Sequence, residues 1–569
     1  MTLFRRVAAV VGLACGAVVV WAVPASAHAI LLRTEPSPQT TVKTAPPAVH
    51  LHFSEPVEVA FGAVRVFDVN GKRVDPGKIQ RADGNKEVVV PVSLKNGTYT
   101  VTWKVTSADG HPVHGGFTFY VGNPSTISAV AIPSDSGAGT FVTWGYGAAR
   151  FLWFVAFLGI VGMTVTRRWV WTPAVRAVDL GDSPAADGFR RRFGRALSGA
   201  WIVLMVAGGL VLVFQASSVS GLSLFKAARP SVLRELLDTE FGRYWLAQIG
   251  LAAAIGLPVL GLVATRRPFL GVRPKTWILV LGALAAGLCL ATALNGHART
   301  LGNADVMAPS LALHLLSVSV WVGGLGALVV LGRLAWRQVD EAHRPRLLRE
   351  LVGRFSKVAI VAVAVLIVTG VVNSFGAFDK LSDFWDITYG KVVGAKIVLL
   401  LAALGLAAIH RFRTPKALVG ADGNAAVAKF ERSSAAELVA VAAAVALASA
   451  LIAIVPGKSL ALAAKGPVNQ EHHAGGYTVQ LFIDPTKVGD NQVHVTFVNA
   501  KGLAAAEVAT VQVSLGPATQ PLQPVEMRLI SPGHFVGDTS LAAAGPFQLK
   551  VDTTGASTTF DFRLYARST

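Results

Sequence analysis

From about Val142 to Val455 the sequence falls into eight apolar runs of about 20 residues, separated by short basic loops, and this pattern limits the fold more than any other feature. The runs lie at roughly 142–166, 196–218, 244–264, 277–296, 309–332, 356–378, 392–410 and 437–455. Each is long enough to cross a hydrocarbon layer of about 30 Å at about 1.5 Å per helical residue. Both flanks instead alternate polar and apolar residues, as antiparallel sheet does. At 569 residues the chain exceeds one ordinary domain. The expected fold class is therefore mixed and multidomain: an N-terminal β-sandwich, an eight-helix membrane domain and a small C-terminal β-sandwich.

The formal net charge of +19 raises nucleic acid as a partner, but the placement of the charges argues against it. Loops 167–195, 266–275, 333–357 and 411–432 hold about 23 Lys and Arg, whereas the alternate loops hold about 7. The basicity is thus topological, and the partner it implies is the lipid bilayer of the cytoplasmic membrane. Two cysteines, Cys15 and Cys289, give no disulfide, since both lie in apolar segments. No GxxxxGK[ST] loop is present, which disfavours ATP-driven pumping.

The leader fixes the orientation. Arg5 and Arg6 precede an apolar stretch, Val7 to Val23, and Ala25-Ser26-Ala27 offers a signal peptidase site. Leu13-Ala14-Cys15-Gly16 resembles a lipoprotein box, but apolar sequence continues past it and the later site fits better. Residues 1–27 are therefore expected as a signal peptide. The mature chain then starts at His28, whose amine and imidazole can chelate one metal together. Residue 28 starts outside, so eight crossings leave both soluble flanks extracytoplasmic, in agreement with the loop charges.

In Ser107-Ala108-Asp109-Gly110-His111-Pro112-Val113-His114, an Asp and a His stand two apart and share a face if the segment is extended. A carboxylate, imidazoles and an amine form a nitrogen and oxygen donor set suited to Cu(II), and no methionine occurs between the leader and Met163 to supply soft sulfur for Cu(I). Together with the His-Ala start, Leu51-His52-Phe53-Ser54-Glu55-Pro56-Val57 and Gly97-Thr98-Tyr99-Thr100-Val101-Thr102-Trp103, this loop makes residues 28–122 resemble the copper-binding protein CopC. The resemblance implies a Greek-key β-sandwich with Cu(II) on His28, Asp109 and His111, and Glu55 as a nearby acid. His114 joins the set only if a turn at Gly110–Pro112 brings it round. His50 and His52 alternate on a strand and are expected as ordinary strand residues.

Beyond a linker at 123–141, the helical region repeats itself. Arg192-Phe193-Gly194 is matched by Arg354-Phe355-Ser356, Phe241-Gly242-Arg243 by Tyr389-Gly390-Lys391, and Gly159 with Gly162 by Gly323 with Gly326. This implies an internal 4+4 repeat with both halves in one orientation. Ionisable or soft residues near the bilayer are the functional candidates. His297, Met307 and His314 are expected to cluster at the outer mouth, Met307 in the loop before the fifth helix, as pathway ligands for copper. Arg150, Lys396 and Glu437 are expected to make internal ion pairs or to snorkel. Through His314 to Gly326, Tyr389 to Lys396 and Ala436-Glu437-Leu438, residues 142–456 resemble CopD, a membrane partner of CopC. After a linker at 457–474 containing His472 and His473, residues 475–569 resemble a YtkA-type domain, in which no site is expected.

These resemblances imply extracytoplasmic Cu(II) binding coupled to copper transport, inward in direction, with a copper chaperone or a reductase as a partner and no catalytic residues. The alternatives are copper sequestration and resistance with the helices as an anchor, and a copper-dependent redox enzyme. An open coordination position is needed for the last, and Asp109 would fill it.

Overall fold

The computed structural model describes residues 29–566 except 30, 39, 60–63, 69–71, 108–111, 124–139, 182, 264–268, 297–302, 337, 415–422, 452–453, 455, 459–467, 475, 485, 500–504, 506, 519, 532 and 554–558. The chain divides into two compact units. One is helical, Phe141–Gln215 with Phe241–Lys458; the other holds the β domains and includes Ala216–Glu240.

Among the described residues nine strands form the N-terminal domain: β1 (Leu31–Glu35), β2 (Thr41–Val42), β3 (Ala48–Phe53), β4 (Val57–Glu58), β5 (Arg65–Phe67), β6 (Gln80–Ala82), β7 (Glu87–Pro91), β8 (Gly97–Ser107) and β9 (Pro112–Val121). They make two sheets, β1-β3-β7-β6 and β2-β9-β8-β4, with β5 also on β8. Alternation decides which side faces in: Val49, Leu51 and Phe53 of β3 are buried, while Ala48, His50 and His52 point the other way. The buried faces of both sheets meet in one core that joins Leu51, Phe53 and Val90 to Val101, Trp103 and Phe119. Phe53 and Trp103 meet edge to face across it, with centroids 5.5 Å apart. The result is a β-sandwich.

Among the described residues seven helices are long and apolar enough to cross a membrane: α1 (Phe141–Ala177), α2 (Ala186–Ser220), α3 (Glu240–Val263), α4 (Pro274–Leu294), α5 (Ala304–Trp336), α6 (Arg344–Ala377) and α7 (Thr388–Phe412). The eighth expected run begins within a further helix, α8 (Gly423–Leu451). Lipid-facing side chains such as Ile202, Val361 and Leu401 remain exposed, as a surface solvated by acyl chains rather than water requires.

Helices α1 and α5 cross at the small residues paired in the expected repeat. A Cβ placed on Gly162 would sit 2.0 Å from the Gly323 carbonyl carbon, and one on Gly323 would sit 2.0 Å from the Leu158 oxygen. Backbone therefore touches backbone, which only glycine permits. Both helices also contain π-helical turns near this crossing, Thr166–Trp171 in α1 and Ser319–Gly323 and Leu328–Gly332 in α5.

The C-terminal domain has two sheets. One is β10-β11-β12-β16-β15, built from β10 (Val468–Ala474), β11 (Tyr477–Asp484), β12 (Gly489–Asn499), β15 (Arg528–Ser531) and β16 (His534–Leu541). The other is β14-β13-β17-β18, built from β13 (Val511–Pro517), β14 (Gln523–Val525), β17 (Gly545–Thr553) and β18 (Thr559–Ala566). A single core from Val479 to Ala566 joins them. Residues 468–474, expected as part of a linker, are instead the edge strand β10, paired in continuous register from Val468 against Ile483 to Ala474 against Tyr477. Its polar sequence, Asn469-Gln470-Glu471-His472-His473, hides the strand, because edge strands favour such residues and need little apolar alternation.

Candidate metal sites

His28, Asp109 and His111 lie outside the described residues, but the strands that lead to them are in place. Leu31 at the start of β1 pairs with Phe53 at the end of β3. Two residues on is Glu55, buried at 7% exposure, and then Val57 of β4 pairs with Ser107 of β8. Thr106 near the end of β8 pairs with Pro112 at the start of β9. The start of β1, the Phe53–Val57 segment, the end of β8 and the start of β9 therefore share one end of the sandwich. His114 is on β9, opposite Lys104.

On the outer face of the other sheet, two histidines and a carboxylate converge. His50 Nδ1 donates to Glu87 Oε1 at 2.7 Å, and His52 Nε2 lies 3.7 Å from the same oxygen and 3.9 Å from Glu35 Oε1. The two rings are nearly parallel, with centroids 6.4 Å apart. The His50 hydrogen bond is the main reason that the Glu87 carboxyl is held below its ordinary value, with the His52, His50 and Arg33 charges assisting against a partial desolvation. Expected as plain strand residues, His50 and His52 are joined by a carboxylate from β7, 35 positions along, that alternation on β3 alone does not reveal.

In the helical unit, His297 lies outside the described residues. Met307 is not in a loop: α5 begins at Ala304, earlier than its apolar run, because the Asn303 side chain accepts the Asp305 N–H at 3.1 Å and Asp305 sits in the first turn. Met307 and His314 are then seven residues apart, two turns on one stripe, with a rise of about 10 Å between them. Both face α6. A Cβ on Gly376 would lie 2.9 Å from Met307 Sδ, and one on Gly370 would lie 3.6 Å from His314 Cε1. They are successive positions in a row rather than joint ligands of one ion.

His314 is oriented by hydrogen bonds. Its Nδ1 is 3.0 Å from Thr369 Oγ1, and that hydroxyl already donates to the Val365 carbonyl at 2.7 Å. The same hydroxyl lies 3.2 Å from the Leu366 carbonyl; with its proton on either carbonyl it accepts from Nδ1, and that tautomer leaves the Nε2 lone pair to take a ligand. Among the charged residues of this unit, Arg150 donates to Tyr146 Oη at 3.0 Å, and Lys396 is half-buried on α7. Glu437 forms a buried pair, its Oε2 2.9 Å from His410 Nδ1, while His410 Nε2 meets Ser433 Oγ at 2.7 Å. That pair ties α7 to α8, and His410 could be found from the sequence only by knowing which helix faces Glu437.

Three families account for most of the chain: the CopC domain matches residues 31–122, the copper resistance protein D-like N-terminal domain 141–306, and copper resistance protein D 349–451. The copper transport protein CutJ of Bacillus subtilis is 31% identical over 394 residues, which is 68% of this chain and 69% of CutJ. The chain belongs to the CopC and CopD copper-resistance family. Copper resistance protein D of Pseudomonas syringae is 29% identical over 226 residues, 38% of this chain and 67% of that protein. CopC of Methylosinus trichosporium is a solved structure 35% identical in sequence, covering 17% of this chain and 95% of its own, with a TM-score of 0.16. A multi-pass membrane protein of this family handles copper.

Proposed function

We propose that the chain takes Cu(II) at its extracytoplasmic N-terminal domain and passes copper inward through the helical domain. Copper here is cargo. In the N-terminal domain the ligands are His28, through its amine and ring, with Asp109 and His111, and Glu55 and His114 are further candidates. The His297, Met307 and His314 positions carry the ion onward. Thioether and imidazole suit copper in either oxidation state, and a reductase or a copper chaperone at the outer face would supply it in the form the helices accept. Asp109 occupies the coordination position an oxidative centre would need open, which favours transport over catalysis.

The observation that carries this reading is His314, positioned by its hydrogen bond with Thr369 on the same helical stripe as Met307. A helix serving only as an anchor has no need for a histidine so oriented. The test is copper accumulation in cells carrying the wild-type protein, His28→Ala with cleavage preserved, or His314→Ala. Both variants should lower cytosolic copper to near the level of cells lacking the protein. Unchanged uptake in His314→Ala, together with lost copper tolerance in His28→Ala, would leave the helices as an anchor and overturn the transport reading.

A further inference from the structure

We propose that the N-terminal domain has a second divalent-cation site, formed by His50, His52 and Glu87 with Glu35 at its rim. It shares no residue with the His28, Asp109 and His111 set. The middle strand, β3, supplies both imidazoles; β7 on one side supplies Glu87, opposite His52, and β1 on the other supplies Glu35, opposite His50. The inner face of the same strands is locked in the core, with Val49, Leu51, Val88 and Val90 fully buried, so the ligand positions are on rigid backbone.

The donor atoms of His50, His52 and Glu87 all lie within 4.8 Å of one another. An ion about 2.0–2.2 Å from each nitrogen and oxygen needs its donors about 3 Å apart. His50 Nδ1 and Glu87 Oε1, at 2.7 Å, already meet that, and His52 Nε2 must close in on both, from 3.7 Å to the oxygen and from within 4.8 Å to the other nitrogen.

Beyond spacing, His52 Nε2 is shielded from solvent and has no hydrogen-bond partner. Its two nearest carboxylate oxygens stand just beyond bonding distance on either side. A buried polar atom left unbonded is disfavoured, and a cation among these groups would satisfy it while neutralising both carboxylates. Two imidazoles and a carboxylate, without sulfur, select a borderline divalent ion, Cu(II) ahead of Zn(II). Arg33, opposite His52 on β1, is the one cation at the rim among the described residues, and it points to Glu35 at 3.6 Å.

The full chain, tag-free in detergent and stripped of metal, is titrated with Cu(II) alone in a His28→Ala/His111→Ala/His314→Ala background, which removes the ligands of the proposed transport path. One equivalent should remain, with paramagnetic resonance showing two coupled imidazole nitrogens and with Zn(II) displacing it only in excess. Adding His50→Gln and His52→Gln should abolish that equivalent. Glu87→Gln keeps the side-chain size and an acceptor for His50, and it should weaken binding about 10-fold or more with an unchanged circular dichroism spectrum. If the background protein takes up no cation, or binds it equally well with both histidines replaced, the cluster is an ion pair only and the proposal fails. Loss of copper transport in the background protein bears on the proposed transport path and leaves this result untouched.

Discussion

Each β domain brings two histidines together, and their surroundings are opposite. In the C-terminal domain, His494 on β12 and His534 on β16 are buried, with Nδ1 of the first 3.2 Å from Nε2 of the second. Gln492 Nε2 donates to Asp538 Oδ1 at 3.0 Å, which fixes the amide so that its oxygen accepts from His494 Nε2 at 3.1 Å. His494 then carries its proton on Nε2, and its Nδ1 accepts the His534 Nε2–H. Every polar atom between the rings is used. In the N-terminal domain His52 Nε2 is enclosed but unbonded, with two carboxylates beside it. Nearness of imidazoles therefore does not by itself make a metal site; what sets the N-terminal pair apart is a ring nitrogen left without a hydrogen bond among carboxylates.

The largest effect expected from this contrast is in the closed pair. His534→Ala removes the donor to His494 Nδ1 and opens a cavity, so the C-terminal domain should lose about 2–4 kcal/mol. His50→Ala in the metal-free protein breaks a partly exposed pair and should cost about 1 kcal/mol. Hydrogen exchange of the full chain checks both, through the protection of β12 and β16 against that of β3 and β7. Equal losses would mean that the two pairs do the same structural work and would erase the distinction.

Acid should separate the domains as well. Burial pushes His494 down to about 3, with the neighbouring His534 assisting, and pushes His534 down to about 4. In an unfolded chain both titrate near about 6.5, so between the two ranges the unfolded state binds more protons and folding weakens as pH falls. That stability is complete above about pH 6.5 and is lost progressively towards about pH 3. Glu87 is depressed chiefly by its bond from His50, so its contribution persists until pH falls below the ordinary carboxyl range of about 4.3. At about pH 5 exchange should therefore speed up in β12 and β16 while β3 and β7 keep their protection. The reverse order would show that the C-terminal histidines are not held neutral by burial.

The sequence makes the coarse architecture legible because lipid and sheet each impose a period on it. Runs of about 20 apolar residues announce the helices, and alternation announces the β domains. What escapes is pairing across long separations. Neither Glu87 beside His50, nor His410 beside Glu437, nor His534 beside His494 follows from local pattern, because strand register and helix facing decide each. Helix ends escape for a different reason: Asn303 starts α5 ahead of its apolar run, which moves Met307 from a loop onto the same stripe as His314. Polar edge strands such as β10 carry too little alternation to be told from a linker.

The smallest expected effect probes what holds the open cluster in its present balance. Arg33 and Glu35 are both more than half exposed and 3.6 Å apart, so Arg33→Ala should change stability by well under about 1 kcal/mol. Its effect on ion binding should be larger, because Arg33 is a positive charge directly opposite His52 and competes for the Glu35 carboxylate. Removing it should tighten Cu(II) at the His50 and His52 cluster a few-fold at low ionic strength, and salt should erase the gain over the range in which exposed charges are screened, about 0.1 M and above. The same substitution should leave the buried His494 and His534 pair unaltered in both exchange and acid response. Tighter binding without a stability change would show that Glu35 acts as a ligand arm; weaker binding would mean instead that Arg33 orders the face and that Glu35 serves only to hold it.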